Sequence, residues 1–462
     1  MDIAAAGPMP GASRDPDAAA GGPGTGLLTD RYELTMIRAA LGNSVAYRRT
    51  VFEMFARQLP GGRRYGVVAG TGRFLDALAR FRFAGDEIEY LTRAGIIDEP
   101  TAAFLASYRF SGTIWGYAEG DCYFPGSPIL VVDAAFAEAV VLETLALSVF
   151  NHDCAVASAG SRMISAAGGR PVIEMGSRRT HELAAVAAAR AAYIAGFAST
   201  SNLRAGREYG VPTAGTSAHA FTLVHDDERQ AFTAQLKSLG AGTTLLVDTY
   251  DVAEAVKAAV EVAGGHLGAV RIDSGDVAAL AKAVRAELDA LGATGTRIVA
   301  TGDLDERSIA RLASAPVDGY GVGTALVIGS GAPTAALVYK LVARADWSGD
   351  LQAVAKHSAG KSTIGGRKWA VRQFDRGGTA TAEVVSTRPP PDGENVLPGH
   401  RVLLSRLVTD GEIVGREPLI AARDRHRQAL SELPPHARRL SAGPPAIATV
   451  LHPDDWHWPD LA

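Results

Sequence analysis

The sequence predicts an α/β fold: an irregular β/α barrel domain joined to a smaller α/β (α+β) domain built from N-terminal and C-terminal segments. Two observations carry this expectation. From about residue 172, short apolar segments alternate with longer Ala-rich or charged helical ones, the pattern of parallel strands linked by crossover helices. Polar residues then gather just after the C-terminal end of each candidate strand, on what would be one mouth of a barrel, the face on which β/α barrels assemble their sites.

The candidate strands are Val172–Met175, Val211–Ala214, Thr243–Val247, Ala269–Ile272, Arg297–Ala300 and Tyr320–Val322. Helical stretches lie between them at His181–Ala195, Glu228–Leu239, Val252–Ala263, Val277–Leu291 and Glu306–Ala313. Six strands at this spacing suit a barrel better than an open sheet. The barrel is expected over residues 151–345, after an N-terminal α/β domain at 27–150, and residues 346–462 are expected to return to that N-terminal domain. Ile129–Phe150 is apolar, but Asp133, Glu138 and Glu143 interrupt it, so it reads as a partly buried amphipathic helix rather than a membrane span. Lys356–Arg372 looks like a hairpin around Gly365-Gly366, Ser386–His400 like an exposed loop, and Arg423–Arg439 like a solvated helical face. Gly360-Lys361-Ser362 imitates the end of a P-loop, yet Ala355 stands where that motif needs its first glycine.

Composition narrows the functional classes. At 462 residues, 47% hydrophobic and 21% charged, the chain can fill the cores of two or three domains. Lys plus Arg number 46 against 50 for Asp plus Glu, so no overall basic character points to nucleic acid, and an anionic ligand must be held by local charges. Residues 1–26 are dominated by Ala, Gly and Pro, lack the basic and apolar regions of a secretory signal, and read as a disordered tail. Cys122 and Cys154 form no CxxC or zinc spacing. A cytoplasmic location, with no membrane and no nucleic-acid partner, is the expectation.

Three motifs carry chemistry. Gly210–Phe221 (GVPTAGTSAHAF) places Thr216, Ser217 and His219 in a turn after a short apolar segment, and an imidazole there can carry a proton or accept a phosphoryl group. Val270–Asp276 (VRIDSGD) sets Arg271 at a strand end and Asp273 and Asp276 around Ser274-Gly275; this suits a sugar phosphate, and equally a capped helix N-terminus. Gly319–Gly323 (GYGVG) with Thr324 offers bare backbone N–H groups and a hydroxyl, the way barrels commonly bind phosphate. Arg178, Asp248 and Asp303 follow other strands on the same mouth.

Taken in order, these stretches resemble the nicotinate phosphoribosyltransferase family from about Leu28 to Arg372. Leu28–Met36 (LTDRYELTM) is similar to that family's N-terminal signature, Phe52–Gly70 to its next segment, and GTSAHAF, VRIDSGD and GYGVGT to its barrel motifs. The resemblance implies a homodimer with shared active sites, in which a barrel-like domain meets the smaller domain of the neighbouring subunit. It implies that Tyr32 stacks on the pyridine ring from across the interface, and that Arg178, Ser201, Thr216 and Arg271 line the nicotinate pocket. Asp273 would meet the ribose or a Mg²⁺ ion held through pyrophosphate; Ser274, Gly302, Asp303, Gly321, Gly323 and Thr324 would complete the phosphoribosyl pyrophosphate site. Whether Asp303 or Asp305 meets the ribose stays open. His219 would be the histidine phosphorylated by ATP.

The substrates implied are nicotinate, phosphoribosyl pyrophosphate and ATP. Related nicotinamide enzymes carry an Asp where Ser201 stands here, and a carboxylate facing an Asp would be repelled, so nicotinate is favoured. Met175 stands where those relatives place an aromatic partner for the ring. Alternatives are a nicotinamide or quinolinate phosphoribosyltransferase, or a non-catalytic nucleotide-sensing barrel. Quinolinate, with two carboxylates, would ask for more than Arg178 and Arg271, and a sensor would have lost His219 or the Asp273 group.

Overall fold

The computed structural model describes residues 24–356, 364–390 and 399–452. It separates into two compact units, one holding residues 156–333 and the other residues 24–155 with the described residues from 334 onward. Residues 1–23 of the expected tail, the Gly360–Thr363 run and positions 391–398 lie outside the described residues. Thr25, at the edge of that tail, is packed: its hydroxyl donates to the Ala77 carbonyl and its N–H to that of Arg80.

The unit of residues 156–333 is a curled parallel sheet wrapped by helices. Its six strands are β1 (Val172–Glu174), β2 (Ser199–Thr200), β3 (Thr244–Leu246), β4 (Ala269–Ile272), β5 (Arg297–Ala300) and β6 (Gly319–Val322). They pair in the order β2-β1-β6-β5-β4-β3, all parallel. Val270, Ile272, Ile298, Tyr320 and Val322 are fully buried, as expected of strands covered on both faces. Helices Glu182–Ala195, Glu228–Leu239, Val252–Val262 and Val277–Ala290 fill the connections. Asp227, Asp251 and Asp276 each accept an N–H from the first turn of the helix that follows them.

One expected strand is replaced by another. Val211–Ala214 makes only an isolated bridge, from Thr213 to Thr200, because Pro212 has no N–H to give a ladder. The sixth strand is Ser199–Thr200, two small polar residues with no apolar run to announce them. No ladder joins Val211–Ala214 to β3 among the described residues, so the barrel stays open along that seam.

The other unit is built on a seven-stranded antiparallel sheet that interleaves the two ends of the chain. Arg49–Ala56, Leu130–Ala135 and Thr113–Tyr117 lie beside Leu337–Ala345, Leu351–Ala353, Leu404–Thr409 and Glu412–Ile413. A four-stranded sheet (His400–Val402, Trp369–Phe374, Ala380–Ser386, Ala448–Leu451) accompanies it. Ile129–Phe150 is therefore not one helix. Leu130–Ala135 is an interior strand, where Asp133 is paired with Arg49 at 2.8 Å, and the 25-residue helix Glu143–Ala167 starts only after the short helix Phe136–Val140. That helical stretch is long and apolar enough to cross a membrane, but most of it is buried within the protein.

Arg423–Arg439 is also less solvated than expected. His426, on the helix Leu419–Glu432, is buried, with Nδ1 3.0 Å from the Gly120 carbonyl. Gly120 has φ 96°, and a Cβ there would lie 2.0 Å from the Ala422 carbonyl, so the helix rests directly on this turn. Behind it sits a buried ionic knot: Arg372 donates to Asp121 at 2.8 Å, to the Cys122 carbonyl at 2.6 Å and to Glu383, while Arg401 bridges Asp121 and Glu432 at 2.9 and 2.7 Å.

Two stability outcomes follow. Arg372→Leu leaves the buried Glu383 without its cation and Asp121 with Arg401 alone, and should cost about 3–5 kcal/mol in urea unfolding; a change below about 1 kcal/mol contradicts the knot. Burial holds His426 neutral, its pKa pushed down to about 4. The unfolded chain thus binds up to one more proton between about pH 4 and 6.5, and stability should decrease as the pH is lowered through that window, by up to about 1.4 kcal/mol per unit. His426→Gln should flatten that part of the pH profile, and an unchanged slope would contradict the assignment.

Candidate active site

Parallel register sets the C-terminal ends of β1, β3, β4, β5 and β6 on one rim, and short polar contacts stitch the ends together. After β3, the side chain of Asp248 is 3% exposed, and its Oδ2 accepts both the Asp273 N–H at 2.9 Å and the Ser274 hydroxyl at 2.7 Å. After β5, the Thr301 hydroxyl donates to Asp273 Oδ1. Asp273 is thereby held from both sides. The DSGD run divides its work, for Asp276 caps the next helix while Asp273 and Ser274 belong to the rim.

His219 begins the short helix His219–Leu223. Its Nδ1 lies 3.2 Å from the Thr249 hydroxyl, and its Nε2 3.9 Å from both Asp248 Oδ1 and Asp273 Oδ2. Asp248 Oδ1 is buried with no hydrogen-bond partner, so one carboxylate oxygen is fixed by backbone and hydroxyl while the other is left facing the imidazole. Thr249, whose hydroxyl holds the imidazole, was not named from the sequence; Asp248 was placed on this mouth but given no role there, and with Asp273 it flanks the ring.

Arg271, the third residue of β4, is mostly buried. Its Nη1 donates to the Thr216 hydroxyl at 2.8 Å and the Ser217 carbonyl at 3.3 Å, and its Nη2 lies 3.9 Å from Asp273 Oδ2. Desolvation lowers its pKa from the ordinary arginine value; Asp273 and Asp248 oppose that shift, and the nearby charge of Arg178 adds to it. Thr216, Arg271, Met175, Ile173, Ala214 and Val299 line a cavity that runs from the rim into the barrel beside the open seam.

The rim after β5 and β6 is built largely from glycine. Gly323 opens the short helix Thr324–Val327, and a Cβ there would sit 3.1 Å from the Met175 carbonyl. Gly321 stands inside β6 rather than at its end; a Cβ there would meet Thr301 at 2.6 Å and the Met175 sulfur at 2.7 Å, so its bareness makes room for those two side chains. Gly302 has φ 97° and packs against the Asp273 carbonyl, 2.2 Å from where a Cβ would be. Asp305 caps the helix Glu306–Arg311 through the Arg307 and Ser308 N–H groups, whereas Asp303 is exposed, with φ 47°. Asp303 is thus the one of the two that is not spent on a cap.

Arg178 and Ser201 are exposed on the loops after β1 and β2. Tyr32 belongs to the other unit, on the helix Arg31–Gly42; the residue is 46% exposed, and burial of the hydroxyl beside Glu143 and Glu33 pushes its pKa up to about 12. The structure therefore brings His219, Thr216, Arg271, Asp273 and Ser274 into one bonded cluster, with Gly302, Gly323 and Thr324 on the same rim.

These features coincide with a known family. Residues 27–151 match the nicotinate phosphoribosyltransferase (NAPRTase) N-terminal domain, and residues 156–330 match the quinolinate phosphoribosyl transferase C-terminal domain. The chain is 56% identical over 457 residues to nicotinate phosphoribosyltransferase pncB1 of Mycobacterium tuberculosis, covering 97% of this chain and 100% of that one. It belongs to the nicotinate phosphoribosyltransferase family. A Bacillus subtilis nicotinate phosphoribosyltransferase is 35% identical over 69% of this chain and 66% of its own length. The crystal structure of human nicotinic acid phosphoribosyltransferase superposes with a TM-score of 0.75 at 26% identity, covering 92% of this chain and 97% of that one. The fold is shared as well with nicotinate-nucleotide pyrophosphorylase from Pyrococcus furiosus, with a TM-score of 0.71 at 22% identity over 92% and 98% of the two chains.

The rim is sensitive to backbone space at Gly302. Gly302→Ala forces a Cβ against the Asp273 carbonyl at a positive φ and should cost roughly 1–3 kcal/mol. A urea midpoint equal to that of the unaltered protein would show that the two turns are not locked together.

Proposed function

We propose that this protein joins nicotinate to the ribosyl group of phosphoribosyl pyrophosphate, giving nicotinate mononucleotide and pyrophosphate, the first step of NAD salvage from nicotinate, with ATP consumed to ADP and phosphate. The observation that carries this reading is the bonded cluster of Arg271, Thr216, Asp273 and Asp248 around His219, on the same rim as the Gly323–Thr324 turn, in a chain of this family.

In the reaction, the pyridine nitrogen forms a bond to ribose C1 as the bond from C1 to the pyrophosphate oxygen breaks. The leaving group takes the electron pair, and positive charge spreads over C1 and the ring oxygen. The chain's part is to position and neutralise. Arg178 and the Ser201 hydroxyl would meet the nicotinate carboxylate, Arg271 would lie along the ring and the phosphoribosyl group, and Met175 would offer an aliphatic wall. Ribose would lie on Asp273, Ser274 and Asp303, and the 5-phosphate on backbone N–H groups near Gly302 and at the Gly323–Thr324 turn, where the hydroxyl adds a donor. Tyr32 would come from the second copy of a homodimer.

No group of three or more His, Cys, Asp or Glu able to hold a metal exists among the described residues. That fits Mg²⁺ arriving with pyrophosphate rather than in a protein cage, since this ion is commonly bound by one or two carboxylates plus substrate phosphates. Asp273 and the unpartnered Oδ1 of Asp248 supply such carboxylates. When bound, Mg²⁺ would offset charge on the leaving pyrophosphate.

His219 would accept the γ-phosphoryl group of ATP, and water would later hydrolyse the phosphohistidine. Its imidazole is 38% exposed, held by Thr249 and flanked by two carboxylates, which suits a group that must be reached by a nucleotide and then by water.

The reading is tested with purified protein, phosphoribosyl pyrophosphate and Mg²⁺, offering nicotinate, nicotinamide or quinolinate with and without ATP. Product should form from nicotinate and rise with ATP; product from nicotinamide or quinolinate alone would sink it. His219→Ala should abolish ATP hydrolysis and phosphoprotein labelling. ATP hydrolysis that still kept step with product in that variant would remove the histidine from its role.

A further inference from the structure

At the end of β1 lies a carboxylate that none of the roles above uses. Glu174 is 1% exposed and carries no ion pair among the described residues. One of its oxygens accepts the Gly176 N–H and the other the Thr200 hydroxyl. Its backbone carbonyl accepts the Ser201 N–H at 2.8 Å. Burial raises its pKa above the usual carboxylate value, with the two bonds opposing that shift. A buried carboxylate with only neutral donors is an expensive way to fill a core position, so stability alone gives little reason for an acid here.

The bonds radiating from it form a closed ring. The Thr200 hydroxyl accepts the Asn202 N–H at 2.9 Å, and the Asn202 side-chain amide donates to the Ser177 hydroxyl at 3.0 Å, returning the ring to the loop that Gly176 opens. Arg178 follows Ser177 on that loop, and Ser201 lies between Thr200 and Asn202. The same loop is pressed against the phosphate turn, because Cβ atoms at Gly176 and Gly323 would lie 3.3 Å from the Gly323 carbonyl and 3.1 Å from the Met175 carbonyl, respectively. A Cβ at Gly176 would also stand 2.9 Å from Glu174 Oε1 and 2.3 Å from Val327.

We infer that Glu174 is a positioning residue for the transfer reaction: it ties the loop carrying Arg178 to the loop carrying Ser201 through Thr200, and seats the first of them on the Gly323 turn through Gly176. The two arms of its carboxylate serve different substrates. The Thr200 arm governs the geometry offered to the pyridine carboxylate, and the Gly176 arm governs the turn offered to the 5-phosphate. This rests on the reading of the rim as a nicotinate and phosphoribosyl pyrophosphate site.

The two arms can be cut separately in the full-length enzyme, with steady-state constants measured for both substrates and the thermal midpoint recorded for each variant. Thr200→Val removes the hydroxyl arm and should raise KM for nicotinate by roughly tenfold while leaving KM for phosphoribosyl pyrophosphate within about twofold. Glu174→Gln keeps an oxygen for the Gly176 N–H and an amide N–H that can donate to the Thr200 hydroxyl, so it holds both arms and should leave both KM values within about twofold. Glu174→Ala cuts both arms and should raise both KM values; if it fails to fold, the other two variants still decide the matter. Folded Thr200→Val or Glu174→Ala protein with unmoved KM values, or a fall in kcat that merely tracks the thermal midpoint, would overturn the inference while leaving the functional reading intact. An unaltered enzyme that makes no nicotinate mononucleotide would overturn both.

Discussion

Parallel strand register is the constraint on which the site depends. Because β1 and β3 to β6 run the same way, each delivers its following residue to one rim, and short side chains can then bond from one strand end to the next. Asp248 reaches the turn after β4, Thr301 reaches Asp273 from the turn after β5, and Arg271 reaches back to Thr216. A one-residue slip in any pair would turn each of these side chains to the opposite face of the sheet. Few of the contacts involve long, flexible side chains, so the rim is ordered before any ligand arrives, which is what electrostatic preorganisation requires.

The open seam of the barrel belongs to the same arrangement. Pro212 limits the Val211–Ala214 segment to a bridge on β2, and the chain that follows it, through Gly215 and Thr216 to His219, passes over the cavity instead of extending a strand. Thr216 consequently has two duties: it lines the cavity and accepts the hydrogen bond that orients Arg271. The imidazole lies at the end of the same segment, within 3.9 Å of both rim carboxylates.

Much of this was legible in the sequence, for identifiable reasons. Strands covered on both faces leave dense apolar runs, so β1 and β3 to β6 announced themselves, and the polar residue after each run marked the rim. Ser199–Thr200 gave no signal because two small polar residues make a strand only where neighbours impose it. Ile129–Phe150 misled because its charges looked like one face of a helix, whereas Asp133 is a strand residue paired with Arg49 across the sheet. Asp273 and Asp276 looked equivalent as cap or ligand, and the fold separates them: Asp276 caps the next helix while Asp273 faces the imidazole. Glu174 was invisible for a different reason: the donors that give it meaning lie at Gly176 and Thr200, on two separate strand ends.

The most direct test of the account is a crystal structure of the protein grown with nicotinate mononucleotide. The 5-phosphate should rest on the Gly323–Thr324 turn, the ribose beside Asp273, and the pyridine carboxylate toward Arg178 and Ser201, with the ring in the cavity lined by Met175 and Arg271. Nucleotide density away from this rim, or a ligand bound with its phosphate and pyridine ends exchanged, would contradict it.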